Sequence, residues 1–373
     1  MARGAVVQEV EDLPEADRLE GFPHPRECER VYGHLEAEQT LAHALVSDRL
    51  HHAWLITGRE GIGKATLAYA LARFALAKPQ ERGRGISPLA IDFTAAAARQ
   101  VRALSHPGLI VLRRPWDPKA KRLAASIPVD EVRRLRNFLV HSAEAGAWRV
   151  VIVDRADELN HNAANAVLKS LEEPPPRTVF LLISSAPGRL IATIRSRCRR
   201  LDLAPLAPAD LRAAAEAALA AAGEEPPSDA EWQRLERLAR GSVRALLNLR
   251  RTGGVRLYER VCAVLAGLPR IDWQQAHALA DELTGTGAEQ QFETFFDMLL
   301  DQIARLVHAG ATGACDANVG QLAQRLITAR GVASWAELWE TVVREKADTI
   351  ALNLDRRAFI LATLMRLEAA ASG

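Results

Sequence analysis

Residues 53–77 read AWLITGREGIGKATLAYALARFALA, and the order of textures in this stretch decides the fold. The first five residues are an apolar run short enough for a buried strand. The last dozen are rich in alanine and leucine, which favour helix. Between them Gly58, four residues, Gly63 and Lys64 have the spacing of a phosphate-binding loop. Such a loop works because successive backbone N–H groups and the helix N-terminus surround phosphate oxygens, while the lysine reaches the terminal ones. Gly58, Gly61 and Gly63 permit the tight path and Lys64 supplies the cation. An ordinary glycine-rich turn has the same composition, and it is the strand before and the helix behind that favour the nucleotide reading.

Two positions work against hydrolysis. Where a Ser or Thr hydroxyl normally coordinates magnesium there is Ala65. Thr66 lies one residue on, turned by about 100° around the helix. Further along, the β-branched run RVVIVD (149–154) ends in Asp154, at the place of a carboxylate that holds magnesium. Its neighbour is Arg155, which cannot accept a proton from an attacking water.

Outward from the loop, strands and helices alternate. HLEAEQTLAHALVSDRL (34–50) places Leu35, Leu41, Ala44 and Leu45 near helical spacing. GLIVLRR (108–114) and TVFLLISS (178–185) are further strands, and VDEVRRLRNFLVHSAEA (129–145) puts Val132, Leu135 and Leu139 on one helix face. NHNAANAVLKSLEEPPP (160–176) is a helix with Asn160 as its cap, stopped at Pro174. This alternation predicts a parallel sheet covered on both faces. After Pro205 the pattern is helical throughout, with a hinge at RTGG (251–254). The expected organisation is a mobile arm over 1–25, an α/β P-loop domain over 26–204, a small helical domain over 205–252 and a larger all-helical domain over 253–373.

The chain has 373 residues, 49% hydrophobic and 25% charged, and a net charge of +2, so a globular protein without a strongly basic coat is expected. Cys28, Cys198, Cys262 and Cys315 are too scattered for a zinc ribbon or a disulfide framework. No long apolar run or leader pattern stands out, which makes the cytoplasm the default location, with no membrane contact. The basic stretches 113–122 and 133–138 read more simply as solvated faces than as nucleic-acid contacts.

RLHHAWLITGREGIGKATLA (49–68), the segment 150–206 with its AANAVLKSLEEPPPRT and TIRSRCRRL, and GSVRALLNL (241–249) resemble the AAA+ subunits of DNA polymerase III clamp loaders, the delta prime branch above all. The resemblance covers about residues 45–205 and the short GSVRALL motif. It implies an AAA+ domain, a helical lid and a C-terminal collar through which subunits join. It also implies partners: gamma or tau motor subunits and delta, and in the assembly the sliding clamp and primed DNA. Arg197, in the motif Ser196-Arg197-Cys198, would be a finger reaching a neighbour's nucleotide in trans. Ser184 and Ser185 fall at the sensor-one strand end, where plain strand-end serines are an equal reading. Arg244 matches the sensor-two arginine, against a surface residue of an amphipathic helix. The resemblance extends the candidate nucleotide site to Gly58, Gly61, Gly63, Lys64, Ala65, Thr66, Asp154, Ser184 and Arg244. It would take ATP or ADP with magnesium, without efficient turnover. Many relatives carry a four-cysteine zinc module, but residues 77–128 contain no cysteine, so zinc is not expected. The competing reading, a gamma- or tau-type ATPase motor, would want Ser or Thr at 65 and Glu at 155.

Overall fold

A computed structural model describes residues 14–83, 87–119, 121–141, 147–313, 317–327 and 331–372. Cys315 and the first half of the expected N-terminal arm lie outside the described residues. The chain divides into two compact units, Met1–Leu246 and Leu247–Gly373.

In the first unit α1 (Leu35–Val46) leads to β1 (Ala53–Thr57) and α2 (Lys64–Leu76), then α3 (Ala96–Arg102) and β2 (Leu109–Leu112). A small hairpin of β3 (Trp116–Asp117) and β4 (Arg122–Leu123) precedes α4 (Val129–His141) and β5 (Arg149–Val153). The remainder is α5 (His161–Glu172), β6 (Thr178–Ser184), α6 (Ala192–Arg197), β7 (Arg199–Asp202), α7 (Pro208–Ala222) and α8 (Asp229–Ala239). Five strands form one parallel sheet in the order β2-β5-β6-β1-β7.

Both faces of that sheet are buried, and the pleat sorts its side chains. Trp54 and Ile56 of β1, Val150 and Ile152 of β5, and Val179, Leu181 and Ile183 of β6 share one core with α1, α2 and α3. The alternate residues Ala53, Leu55, Val151, Val153, Phe180 and Leu182 share the other with α4, α5 and α6. Period-two alternation with apolar residues on both sides is what a continuous hydrophobic run becomes in a parallel sheet. The α5 start follows its sequence: the Asn160 side chain accepts from the Ala163 N–H at 2.8 Å. On α1 the expected face is shorter by one residue, since Leu41, Ala44 and Leu45 are buried while Leu35, at the first turn, is exposed.

The expected arm is corrected where it is described. Residues 14–25 are packed into the first unit, with Asp17 and Phe22 nearly inaccessible and His24 fully so. Buried ion pairs, described below, hold this polar segment in place of an apolar face.

The second unit is helical: α9 (Val243–Arg251) crosses into it, followed by α10 (Gly254–Gly267), α11 (Trp273–Thr284), α12 (Glu289–Thr312), α13 (Ala317–Leu326), α14 (Val332–Ala351) and α15 (Arg356–Ser372). Phe292, Phe295 and Phe296 of α12 centre its core, with Phe296 stacked on Phe359 of α15 at 4.6 Å between ring centroids. No helix among the described residues is long and apolar enough to cross a membrane.

Candidate nucleotide loop and finger site

The loop at the end of β1 needs its glycines. Gly58, Gly61 and Gly63 all have positive φ, of 139°, 76° and 105°. A Cβ on Gly58 would come within 2.5 Å of the Leu203 carbonyl oxygen. Gly63 then delivers the chain into α2 with Lys64 as its first residue. The Lys64 ammonium has three protons to donate. It donates to the carbonyls of Gly58 (2.8 Å) and Arg59 (2.6 Å) and to the Ser185 hydroxyl (2.9 Å). Burial lowers its pKa to about 8, against the pull of Glu60 and Asp154. On the far side, His34 Nε2 donates to the Ile62 carbonyl at 2.7 Å, and burial holds that imidazole toward its neutral form. The loop is therefore braced from both flanks.

Asp154 follows β5 and is buried. Its N–H donates to the Leu112 carbonyl at 2.9 Å, whereas its Oδ2 has no hydrogen-bond partner. Burial, and next the nearby charge of Asp17, push its pKa up to about 7. Arg155 takes a left-handed conformation, φ 50°, and pairs with Glu158 at 2.9 Å and with Glu60 of the loop. Arg244 Nε stands 3.5 Å from the same Glu60 carboxylate. The segment entering α9 is hydrogen-bonded to the loop as well. The Ser242 hydroxyl donates to the Glu60 carbonyl at 2.8 Å and the Val243 N–H to the Gly61 carbonyl at 2.9 Å.

That contact leaves no room at Gly61, where a Cβ would stand 2.4 Å from the Arg244 Cβ and 2.5 Å from the Ser242 Oγ. Gly21 also has positive φ, 82°, but nothing lies within 4 Å of its Cβ position. Gly61→Ala should therefore cost about 3 kcal/mol of unfolding free energy and Gly21→Ala about 1 kcal/mol. Chemical denaturation of both variants measures the difference. Equal losses would mean that the Ser242–Arg244 segment does not press on the loop.

Behind the loop lies a network that has no local signal in the sequence. Asp17 pairs with His24 at 2.8 Å and with Arg113 at 2.9 Å, and Glu15 bonds Arg26 at 2.8 Å and also reaches Arg113. Burial would raise the Asp17 pKa, but the His24 hydrogen bond and the His24 and Arg113 charges outweigh it and hold the carboxyl at about 2. Arg113 of the basic stretch 113–122 is thus committed inside the protein. Arg114 pairs with Glu158 at 2.7 Å, and Arg133 and Arg134 pair with Asp130 and Glu131 on their own helix.

Of the two sensor-one serines, Ser185 is the one that touches Lys64. Ser184, ending β6, is fully buried and its Oγ accepts from the Ala186 N–H at 3.1 Å. Ala65 and Thr66 sit in the first turn of α2, both half-buried. Gly58, Gly61, Gly63, Lys64, Asp154 and Arg244 thus belong to one locality. Arg197 ends α6, elsewhere in the unit. Its guanidinium is 37% exposed and bonds Glu172 Oε1 at 2.8 Å and the Thr193 carbonyl at 3.1 Å. Burial pushes the adjacent Cys198 thiol up to about 11, so it stays protonated at neutral pH.

A phosphate loop between a parallel strand and a helix, a buried acid after a neighbouring strand and a helical segment closing on the loop define a P-loop protein of the AAA+ class. A family model described as DNA polymerase III, delta subunit, matches residues 33–207. The delta prime subunit of Pseudomonas aeruginosa DNA polymerase III is 35% identical over 252 residues, 67% of this chain and 70% of that protein. Its Escherichia coli counterpart is 30% identical over 325 residues, 86% and 90% of the two chains. Among solved structures, a gamma subunit-related protein of Thermotoga maritima aligns with 89% of this chain and 98% of its own, at 18% identity and a TM-score of 0.40. The chain belongs to the delta prime family of DNA polymerase III clamp-loader subunits.

Proposed function

We propose that this chain is a non-hydrolysing subunit of a clamp loader, one that braces the assembly and lends Arg197 to a neighbouring ATPase subunit. The observation that carries the first half is Arg155. A water-activating base needs a free lone pair, and this position holds a guanidinium already neutralised by Glu60 and Glu158. Ala65 supports the same reading, because it offers no hydroxyl to a cation. The second half rests on Arg197. Its guanidinium is half-exposed, fixed by Glu172 and Thr193, and displayed at a helix end.

The residues present fit a nucleotide's phosphates better than its magnesium. The positive-φ glycines and Lys64 form a cradle, and the unpartnered Oδ2 of Asp154 is an acceptor for a cation or its water. One hydroxyl ligand is missing. ATP or ADP would be held by the loop and Lys64, with Arg244 within reach of a terminal phosphate, without efficient turnover. When bound, the nucleotide supplies charge that stiffens the contact between loop and lid. The partners of this reading are gamma or tau and delta, with the sliding clamp and primed DNA in the full assembly, working in the cytoplasm. The helices over 205–252 serve as lid and those over 253–373 as collar.

Steady-state ATP hydrolysis by the purified chain tests the first half. The expected rate is indistinguishable from that of a Lys64→Ala control. Turnover well above that control would assign the chain to the motors instead.

A further inference from the structure

Glu60 is the group in this site that no phosphate-binding role explains. It lies inside the loop, two residues past Gly58, and its carboxylate is shared by Arg155, which follows β5, and by Arg244 at 3.5 Å on α9. Its own backbone is fixed, since its carbonyl accepts from Ser242 and the next carbonyl, of Gly61, accepts from Val243. The side chain is half exposed, and the two guanidiniums are what hold it. Arg155 and Arg244 repel one another, and each is drawn to Glu60. One anion between two guanidiniums is the arrangement in which the end of a bound polyphosphate is expected.

We propose that Glu60 is a built-in counter-anion standing in the place of a terminal phosphate, so that the loop accepts a nucleoside diphosphate and discriminates against the triphosphate. A diphosphate needs only the glycine cradle and Lys64. A third phosphate must take Arg155 and Arg244 away from Glu60 and then lie beside the displaced carboxylate, a like-charge contact of the kind that gives specificity by repulsion. The same three-way pairing joins the loop, the end of β5 and α9. The inference rests on reading the loop as a nucleotide site and is independent of any role for Arg197.

Equilibrium binding of fluorescent ADP and ATP analogues to the full-length chain tests it, beside Glu60→Gln and Glu60→Asp. Thermal melting of each variant verifies that it is folded. The unchanged chain should prefer the diphosphate. Glu60→Gln, which keeps the size and removes the charge, should tighten the triphosphate on the order of tenfold while moving the diphosphate by less than about threefold. Glu60→Asp, which keeps the charge, should retain the preference. Equal affinities in the unchanged chain, or an equal shift for both nucleotides in Glu60→Gln, would overturn the counter-anion and leave the loop a nucleotide site. No binding of either nucleotide by any of the three proteins would overturn both.

Discussion

Arg197→Ala in a reconstituted clamp loader should lower ATP turnover at the neighbouring subunit's site by on the order of 10³-fold, at the low end of what arginine fingers contribute. The charge that develops on the phosphoryl oxygens would be met by a planar guanidinium whose setting lies within its own subunit. Glu172 Oε1 at 2.8 Å and the Thr193 carbonyl at 3.1 Å provide that setting. An interaction made mainly in the transition state reduces kcat and leaves KM nearly unchanged. Arg197→Lys should recover little, because a compact ammonium lacks the fork. Single-turnover hydrolysis in complexes carrying either variant, with subunit composition verified, reads the effect. A rate within about twofold of the unmodified complex would remove the finger while leaving family membership untouched. Glu172 is about half exposed, so the pair that fixes the finger is weak in water and readily yields to a phosphate.

The sheet was legible because parallel strands buried on two faces are written as unbroken apolar runs, and AWLIT and TVFLLIS are such runs. The loop was legible because its glycines are required by φ and by the Leu203 carbonyl, both local matters. What governs the site beyond the loop was not legible, and the reason is distance along the chain. Glu60 and Arg155 are 95 residues apart, and Asp17 and Arg113 are 96. Neither pair leaves a periodic trace, so residues 1–25 read as a polar arm, although Asp17 and His24 are buried. Arg113 read as part of a solvated basic face for the same reason. Ala65 and Arg155 were visible as departures from a motor's pattern. That Arg155 would close on a loop glutamate required the fold.

Asp154→Asn should stabilise the protein, by on the order of 2 kcal/mol at pH 8, and progressively less as the pH falls toward 5. In a working magnesium site the wild-type carboxylate is held charged by its cation. Here it is buried, its Oδ2 is unpartnered and Asp17 adds a like charge nearby. A carboxyl whose folded pKa is raised, to about 7 against an ordinary 3.8, opposes folding wherever it must ionise. That cost is full above pH 7, shrinks as the pH drops through the folded pKa, and is gone below the unfolded one. Asparagine removes the charge while keeping the shape, and a neutral amide costs less to bury than a carboxylate. Asp17 behaves oppositely: held at about 2 by His24 and Arg113, it contributes stability that is present above pH 4 and lost on further acidification. Denaturant titrations of the wild type and Asp154→Asn at pH 5, 6.5 and 8 separate the two carboxylates, since only the first produces a difference between the proteins that grows with pH. A variant less stable at pH 8 would mean that the Asp154 charge is compensated in the folded chain, and the acid would then be a working ligand kept ready for a cation.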